Sequence, residues 1–111
     1  DASLSQSLHL LNAKDLQDRL AGDTGRAAAL ARNPASADSA QVAGLYRMAF
    51  ARDPHPEELQ AAVDYLARRL NAAPAGQTPE ETEAARFKAR REGYEDTIWA
   101  LLNTKEFLFN H

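Results

Sequence analysis

The sequence predicts an all-α fold, a compact bundle of about five to six short helices with a C-terminal aromatic helix at the core. Ala, Leu, Arg and Glu, which favour helices, dominate the composition, whereas Val and Ile, from which strands are built, are scarce. Apolar residues also recur at helical spacing between Asn, Pro and Gly residues that end helices. The chain has 111 residues, which suits one core, so residues 1–111 are treated as a single helical domain.

The C-terminal segment Tyr94–His111 is expected to organise the core. It contains the chain's only Trp, Trp99. A fully buried aromatic side chain contributes about 2–3 kcal/mol, and several of them would outweigh the other local features. Asn103, with Glu106 three residues later, predicts a corner at which one helix ends and another begins. The expected anchors are the apolar face Tyr94, Ile98, Leu101 and Leu102 and the tail Phe107, Leu108 and Phe109. The residues Glu95, Asp96 and Thr97 are expected to lie off this apolar face.

The remaining helices are predicted from capping signals and spacing. Three short helices should begin near Ser3, Ala13 and Arg26, a fourth at Ser36 or Asp38, a fifth at Pro56 and a sixth at Pro79. Residues 71–77, N-A-A-P-A-G-Q, predict a surface loop. The sixth helix can run into the C-terminal segment, with Gly93 as its weak point at about 1 kcal/mol relative to Ala.

A near-repeat links the two ends of the sequence. Leu10–Leu16 and Leu101–Phe107 share the order apolar pair, Asn, Lys, acid, apolar. Common capping rules explain this similarity without any contact between the two segments. Alternatively, the two corners pack side by side, which would place Asn12 near Asn103.

Composition excludes several classes of function. The net charge of -3 and the pI near 5.6 argue against a nucleic-acid binder, which needs a dense basic face. No apolar run is long enough to cross a bilayer, so no membrane insertion is expected. The lack of Cys excludes disulfides and thiolate metal sites within these residues. Because the chain begins at Asp1 without Met, we expect it to be a fragment of a longer protein.

No set of residues predicts catalysis. His9, His55 and His111 share no ligand spacing, and neither a nucleophile elbow nor a glycine-rich phosphate loop is present. The pairs at 57–58 and 80–81 are acids in first helical turns, where the helix dipole favours them. We therefore expect no catalytic, cofactor-binding or metal-binding residue. The densest basic patch is either a solvated helix face or a contact for an acidic partner; it comprises Arg86, Lys88, Arg90 and Arg91.

Three segments together resemble a known family. They are S-L-S-Q-S-L-H-L-L-N-A-K-D-L at 3–16, L-Y-R-M-A-F-A-R-D-P-H-P-E-E-L at 45–59, and the tail at 94–111 that ends in F-L-F-N-H. In this order they are similar to the C-terminal part of the planctomycete-type uncharacterised domain called PSD1. That domain lies at the C-terminal end of large bacterial proteins that often also carry planctomycete cytochrome c modules. The matching positions are His9, Asn12, Arg47, Arg52, Pro54, Pro56, Glu58, Asn103, Lys105, Glu106, Asn110 and His111.

The resemblance implies an exported or cell-surface bacterial parent with redox neighbours, but no catalytic residues, because the family has no known activity. We expect a non-catalytic interaction or scaffold module that packs against other domains of the parent, cytochrome c modules among them. The rival hypothesis is that these residues contribute part of an active or redox site that upstream domains of the parent complete. A third, weaker hypothesis is that a haem protein docks on Arg86–Arg91. The candidate interaction or family-motif positions are His9, Asn12, Arg47, Trp99, Asn103, Lys105, Glu106, Asn110 and His111.

Overall fold

The computed structural model describes the backbone of residues 24–109 and, within that stretch, the side chains of residues 25–104. Every regular element in this part of the chain is helical. The elements are α1 (Thr24–Ala31), a 3-10 helix (Ala35–Ala37), α2 (Asp38–Phe50), α3 (Pro56–Asn71) and α4 (Pro79–Phe109). The predicted all-α class is therefore confirmed for the described residues. The helices predicted near Ser3 and Ala13 lie outside them.

Local signals place the starts of α3 and α4 correctly. At α3, the backbone N–H of His55 donates to the Glu58 carboxylate at 2.8 Å. At α4, the Thr78 hydroxyl accepts from the N–H of Glu81 at 3.1 Å. Both contacts occupy polar groups that a helix start leaves unpaired. The linker follows the last residue of α3, Asn71, and covers residues 72–78, close to the predicted loop.

The helix α2 ends in a left-handed turn. Ala51 has a φ of 58°, and its N–H donates to the carbonyl of Arg47 at 2.9 Å. This contact satisfies one of the carbonyls left free at a helix C-terminus. Glycine usually occupies this position, since a Cβ is strained there.

The corner predicted at Asn103 is wrong, and so is the prediction that all helices are short. α4 runs unbroken for 31 residues from Pro79 to Phe109. The Asn103 side chain is exposed, whereas Leu101 and Thr104 beside it are buried. The low helix propensity of Asn amounts to only about 0.7 kcal/mol, less than the burial of one leucine contributes. Packing of the helix therefore outweighs the local capping signal.

Gly93 does not interrupt α4, and it packs directly against side chains of α3. A Cβ at Gly93 would lie 2.9 Å from Cδ2 of Leu66, a fully buried α3 side chain. The missing side chain is thus a packing feature, and the predicted weak point is a contact between two helices.

The helix α4 lies at the centre of the described fold and contacts α1, α2 and α3. All six residues from 93 to 98 are buried, and six consecutive positions cover every side of a helix. Burial of Tyr94, Ile98 and Leu101 confirms part of the predicted apolar face. Leu102, however, is 39% exposed. The main core residues are Ala27, Val42, Leu45, Tyr46, Ala62, Leu66, Tyr94, Ile98, Ala100 and Leu101.

Two further expectations for the C-terminal segment have different outcomes. Glu95, Asp96 and Thr97 were expected to lie off the buried face, but all three are buried. The burial of the tail aromatics stays a prediction, since the side chains of residues 105–109 are outside the description. The pairing of Asn12 with Asn103 is likewise untested. No helix in the described stretch combines the length and apolar character needed to cross a bilayer.

Candidate functional site

Arg90 on α4 forms the most deeply buried ion pair in the described part of the chain, with Asp38 at the start of α2. Its guanidinium donates to both carboxylate oxygens of Asp38 at 2.9 and 3.1 Å. It also donates to the carbonyls of Ala31 at 3.2 Å and Asn33 at 2.7 Å. Such multiple charge-assisted bonds are what a buried ion pair needs to offset the loss of water. Arg90 therefore fixes α4 to the end of α1 and to the start of α2.

Tyr94 extends this network by one helical turn. Its hydroxyl donates to Asp38 Oδ1 at 2.5 Å and accepts from the Gln41 amide at 2.8 Å. The same amide group donates to the Leu30 carbonyl at 3.2 Å. Burial, and then the hydrogen bond to Asp38, raise the pKa of Tyr94 above its usual range. The phenol thus stays neutral and remains a donor.

A second polar cluster joins α3 to α4. Arg69 contacts Glu92 at 2.8 Å and Asp96 at 3.2 Å, and the Tyr65 hydroxyl donates to Asp96. Burial raises the pKa of Asp96, although the bond from Tyr65 and the charge of Arg69 act in the opposite direction. Desolvation of the carboxylate therefore outweighs its partners.

A third cluster lies at the turn between α2 and α3. Arg52 holds both oxygens of Glu58 at 2.9 and 3.1 Å. Its guanidinium lies 5.6 Å from the ring centre of Tyr46 and 5.5 Å from that of Phe50, which is cation–π range. The Tyr46 hydroxyl is buried and has no hydrogen-bond partner among the described residues. The cluster fastens the turn that follows the left-handed end of α2.

These three clusters are structural in character. A general base or nucleophile needs a free lone pair that faces a cleft. Asp38, Glu58 and Asp96 instead direct their carboxylate oxygens at arginine and tyrosine donors of neighbouring helices or turns. The described stretch contains no group of three or more His, Cys, Asp or Glu residues placed to hold a metal ion. The contacts of these three clusters hold the helices together.

The structure describes the side chains of three predicted interaction positions. Arg47 is 57% exposed and pairs with Asp53 at 2.6 Å. Trp99 is half-buried and Asn103 is exposed. None of the three lines either of the two grooves described below. The positions outside the description are His9, Asn12, Asn110 and His111, together with the side chains of Lys105 and Glu106.

The predicted basic patch on α4 is divided by the fold. Arg86 and Lys88 are exposed, but Arg90 turns inward and Arg91 lies 3.5 Å from Glu95. A continuous solvated face is therefore wrong for Arg90. The sequence does contain a signal for the burial of Arg90. Arg90 precedes the core residue Tyr94 by four residues, so both side chains lie on the same face of α4.

The first groove, here called the α2–α4 groove, is apolar and lies at the surface. It has a volume of about 150 Å³. Met48 at 61% exposed and Leu102 at 39% are the exposed large apolar side chains of the described residues, and both line this groove. Met48 stands off the apolar stripe of α2, so helical periodicity predicts no role for it. The lining residues are Arg26, Leu45, Met48, Ala49, Ile98, Leu101 and Leu102.

The second groove, here called the α1–α4 groove, lies between the end of α1 and the first half of α4. It is larger, at about 520 Å³, and carries charged side chains on an apolar floor. It shares no lining residue with the α2–α4 groove.

Comparisons of the chain with protein-family models, with curated proteins and with solved structures found no match. The relationship to the PSD1 domain stays an expectation from the three sequence segments.

Proposed function

We propose that the chain is a non-catalytic interaction module of a larger exported bacterial protein, and that its α2–α4 groove holds another domain of the same protein. The single observation that supports this proposal is the exposed Met48 at an apolar groove between packed helices. The buried charged side chains join helices to one another, which is consistent with a role that involves no catalysis.

The size of the groove favours a tethered partner over a free one. Two exposed apolar side chains are far less than the roughly 800 Å² per partner that a stable complex between separate proteins usually buries. A domain on the same chain has an effective concentration in the millimolar range, so a small contact is enough to hold it. Burial of one methionine side chain contributes about 1.5–3 kcal/mol.

The lining of the groove suggests the chemistry of the occupant. Its walls are leucine, isoleucine, alanine and methionine, and its one charged lining residue is Arg26. An amphipathic helix that presents an apolar anchor and, one turn away, an acidic residue would match both features. We therefore propose such a helix from a neighbouring domain, for which the cytochrome c modules implied by the resemblance are candidates.

Photo-crosslinking from Met48 tests this proposal. Met48 is the only methionine in these 111 residues, so photo-methionine labels a single position within them. The label is introduced into the longest natural chain that contains these residues, and the linked peptides are identified by mass spectrometry. We expect links from Met48 to a helix in another domain.

The matched control is Met48→Leu, which preserves the apolar volume but removes the reactive group. Links that persist in this variant do not originate at the groove. Links from Met48 to residues 1–23 or to a second copy of the chain would contradict the proposal, as would reaction with solvent alone.

A further inference from the structure

The α1–α4 groove combines two cations with an apolar floor. Arg32 follows α1 and Arg86 lies on α4, and both are exposed. The floor includes the half-buried Phe87 and the buried Leu70. A volume of about 520 Å³ lies within the range of small-molecule sites. The full lining is Ala31, Arg32, Asn33, Pro34, Ala35, Leu70, Glu83, Arg86, Phe87 and Arg90.

Ion pairs among the described residues do not balance all the charges in this groove. Arg90 forms an ion pair with Asp38, but neither Arg32 nor Arg86 forms an ion pair with any described residue. Arg32 instead lies 5.8 Å from the ring centre of Phe87. Glu83 is the acidic residue in the lining, and it also forms no ion pair with the described residues. The lining therefore carries two cations and one acid that form no ion pair with the described residues.

We propose that this groove binds a carboxylate attached to an apolar body, with Arg32 and Arg86 contacting the carboxylate and Phe87 and Leu70 contacting the apolar part. A guanidinium presents paired N–H donors that match the two oxygens of a carboxylate. This ligand site goes beyond the proposed function, because the α2–α4 groove contributes no residue to it.

The test is an NMR titration of the 111-residue chain with 3-phenylpropanoate. The reporters are the Nε–Hε signals of Arg32 and Arg86 and the backbone amides around Phe87. The neutral control is 3-phenylpropanamide, which has the same apolar body without the charge. We expect the acid to shift these signals and the amide to bind at least about tenfold more weakly, the effect of losing charge-assisted hydrogen bonds.

Three variants separate binding from folding. Arg86→Gln should weaken binding of the acid about tenfold, whereas Arg68→Gln, an exposed arginine outside the groove, should leave it unchanged. Glu83→Gln removes the acid from the lining and should tighten binding by roughly two- to fivefold. A loss of folded protein cannot produce tighter binding, so this third variant keeps the test decisive.

A peptide arm identifies the source of the carboxylate. The tripeptide Ala-Ala-Phe with a free C-terminus is compared with its C-terminal amide. Tighter binding of the free peptide than of 3-phenylpropanoate indicates a protein C-terminus, and the reverse order indicates a small acid. Equal binding of the acid and its amide, or equal effects of Arg86→Gln and Arg68→Gln, would overturn the proposal.

Discussion

Replacement of Asp38 by Ala should be among the most damaging single changes in the described fold. It would leave Arg90, a residue that is now 6% exposed, without its carboxylate partner, and the Tyr94 hydroxyl without its acceptor. Loss of one partner of a buried pair costs about 3–5 kcal/mol. With a urea dependence of about 2 kcal/mol per molar, the unfolding midpoint should fall by about 2 M. Far-ultraviolet circular dichroism measures this midpoint.

The matched control is Arg47→Ala. The ion pair of Arg47 with Asp53 is shorter, at 2.6 Å, but its side chains are 57% and 73% exposed. Screening by solvent limits such a pair to at most about 1 kcal/mol. Burial and not distance should therefore decide the effect. Similar midpoints for Asp38→Ala and Arg47→Ala would refute this reasoning.

A double replacement completes the test. Asp38→Ala combined with Arg90→Met removes both charges and fills the arginine volume with an apolar side chain. Buried pairs exchanged for apolar groups often lose little stability, so the double variant should be more stable than Asp38→Ala alone. Additive losses from the two single changes would mean that the pair is not coupled.

Four further predictions use the same urea assay. Burial raises the pKa of Asp96, so its contribution to the free energy of unfolding is greatest below about pH 4 and falls as the pH rises through the raised pKa. Asp96→Asn should remove this dependence. Burial alone would raise the pKa of Glu58, but Arg52 and the His55 amide lower it, so Glu58→Gln should remove a dependence of the opposite sign. Tyr46→Phe should raise the free energy of unfolding by up to about 1 kcal/mol, because its hydroxyl has no hydrogen-bond partner among the described residues, whereas Tyr94→Phe should lower it by about 1–3 kcal/mol. Ala51→Gly should raise it by about 1 kcal/mol by relieving the positive φ, although the same change inside a helix is destabilising.

Helix starts could be predicted from the sequence because their signals are local. Pro56 and Pro79 each stand at the first helical position, and the residues that cap them are within a few positions. The fold class followed from composition in the same way. These features depend on chemistry within one helical turn, which a sequence displays directly.

The errors arise where tertiary contacts decide the outcome. Asn103 carries a valid capping signal, and Gly93 a valid helix-breaking one, but packing of α4 against three helices overrides both. No local rule reveals that Gly93 has no side chain because Leu66 occupies the space. A residue that has a low helix propensity can therefore be required at a position where two helices pack closely.

The polar network and the grooves also escaped prediction from sequence. Arg90 and Asp38 are 52 positions apart, and helix rules relate only residues three or four apart. The walls of the α1–α4 groove come from Arg32 and Arg86, which are similarly distant in the chain. For the polar network, the available clue was that a charged side chain on the buried face of a helix must meet a partner.

Native-state hydrogen exchange of the amides in α4 tests the central claim most directly. If α4 is the helix around which the described fold is packed, the amides of residues 94–101 should exchange only on global unfolding, with the same free energy as the urea transition. They should be at least as protected as those of α2 and α3. Faster exchange in this stretch than in α2 and α3, or protection that stops at Gly93, would contradict a central, continuous α4.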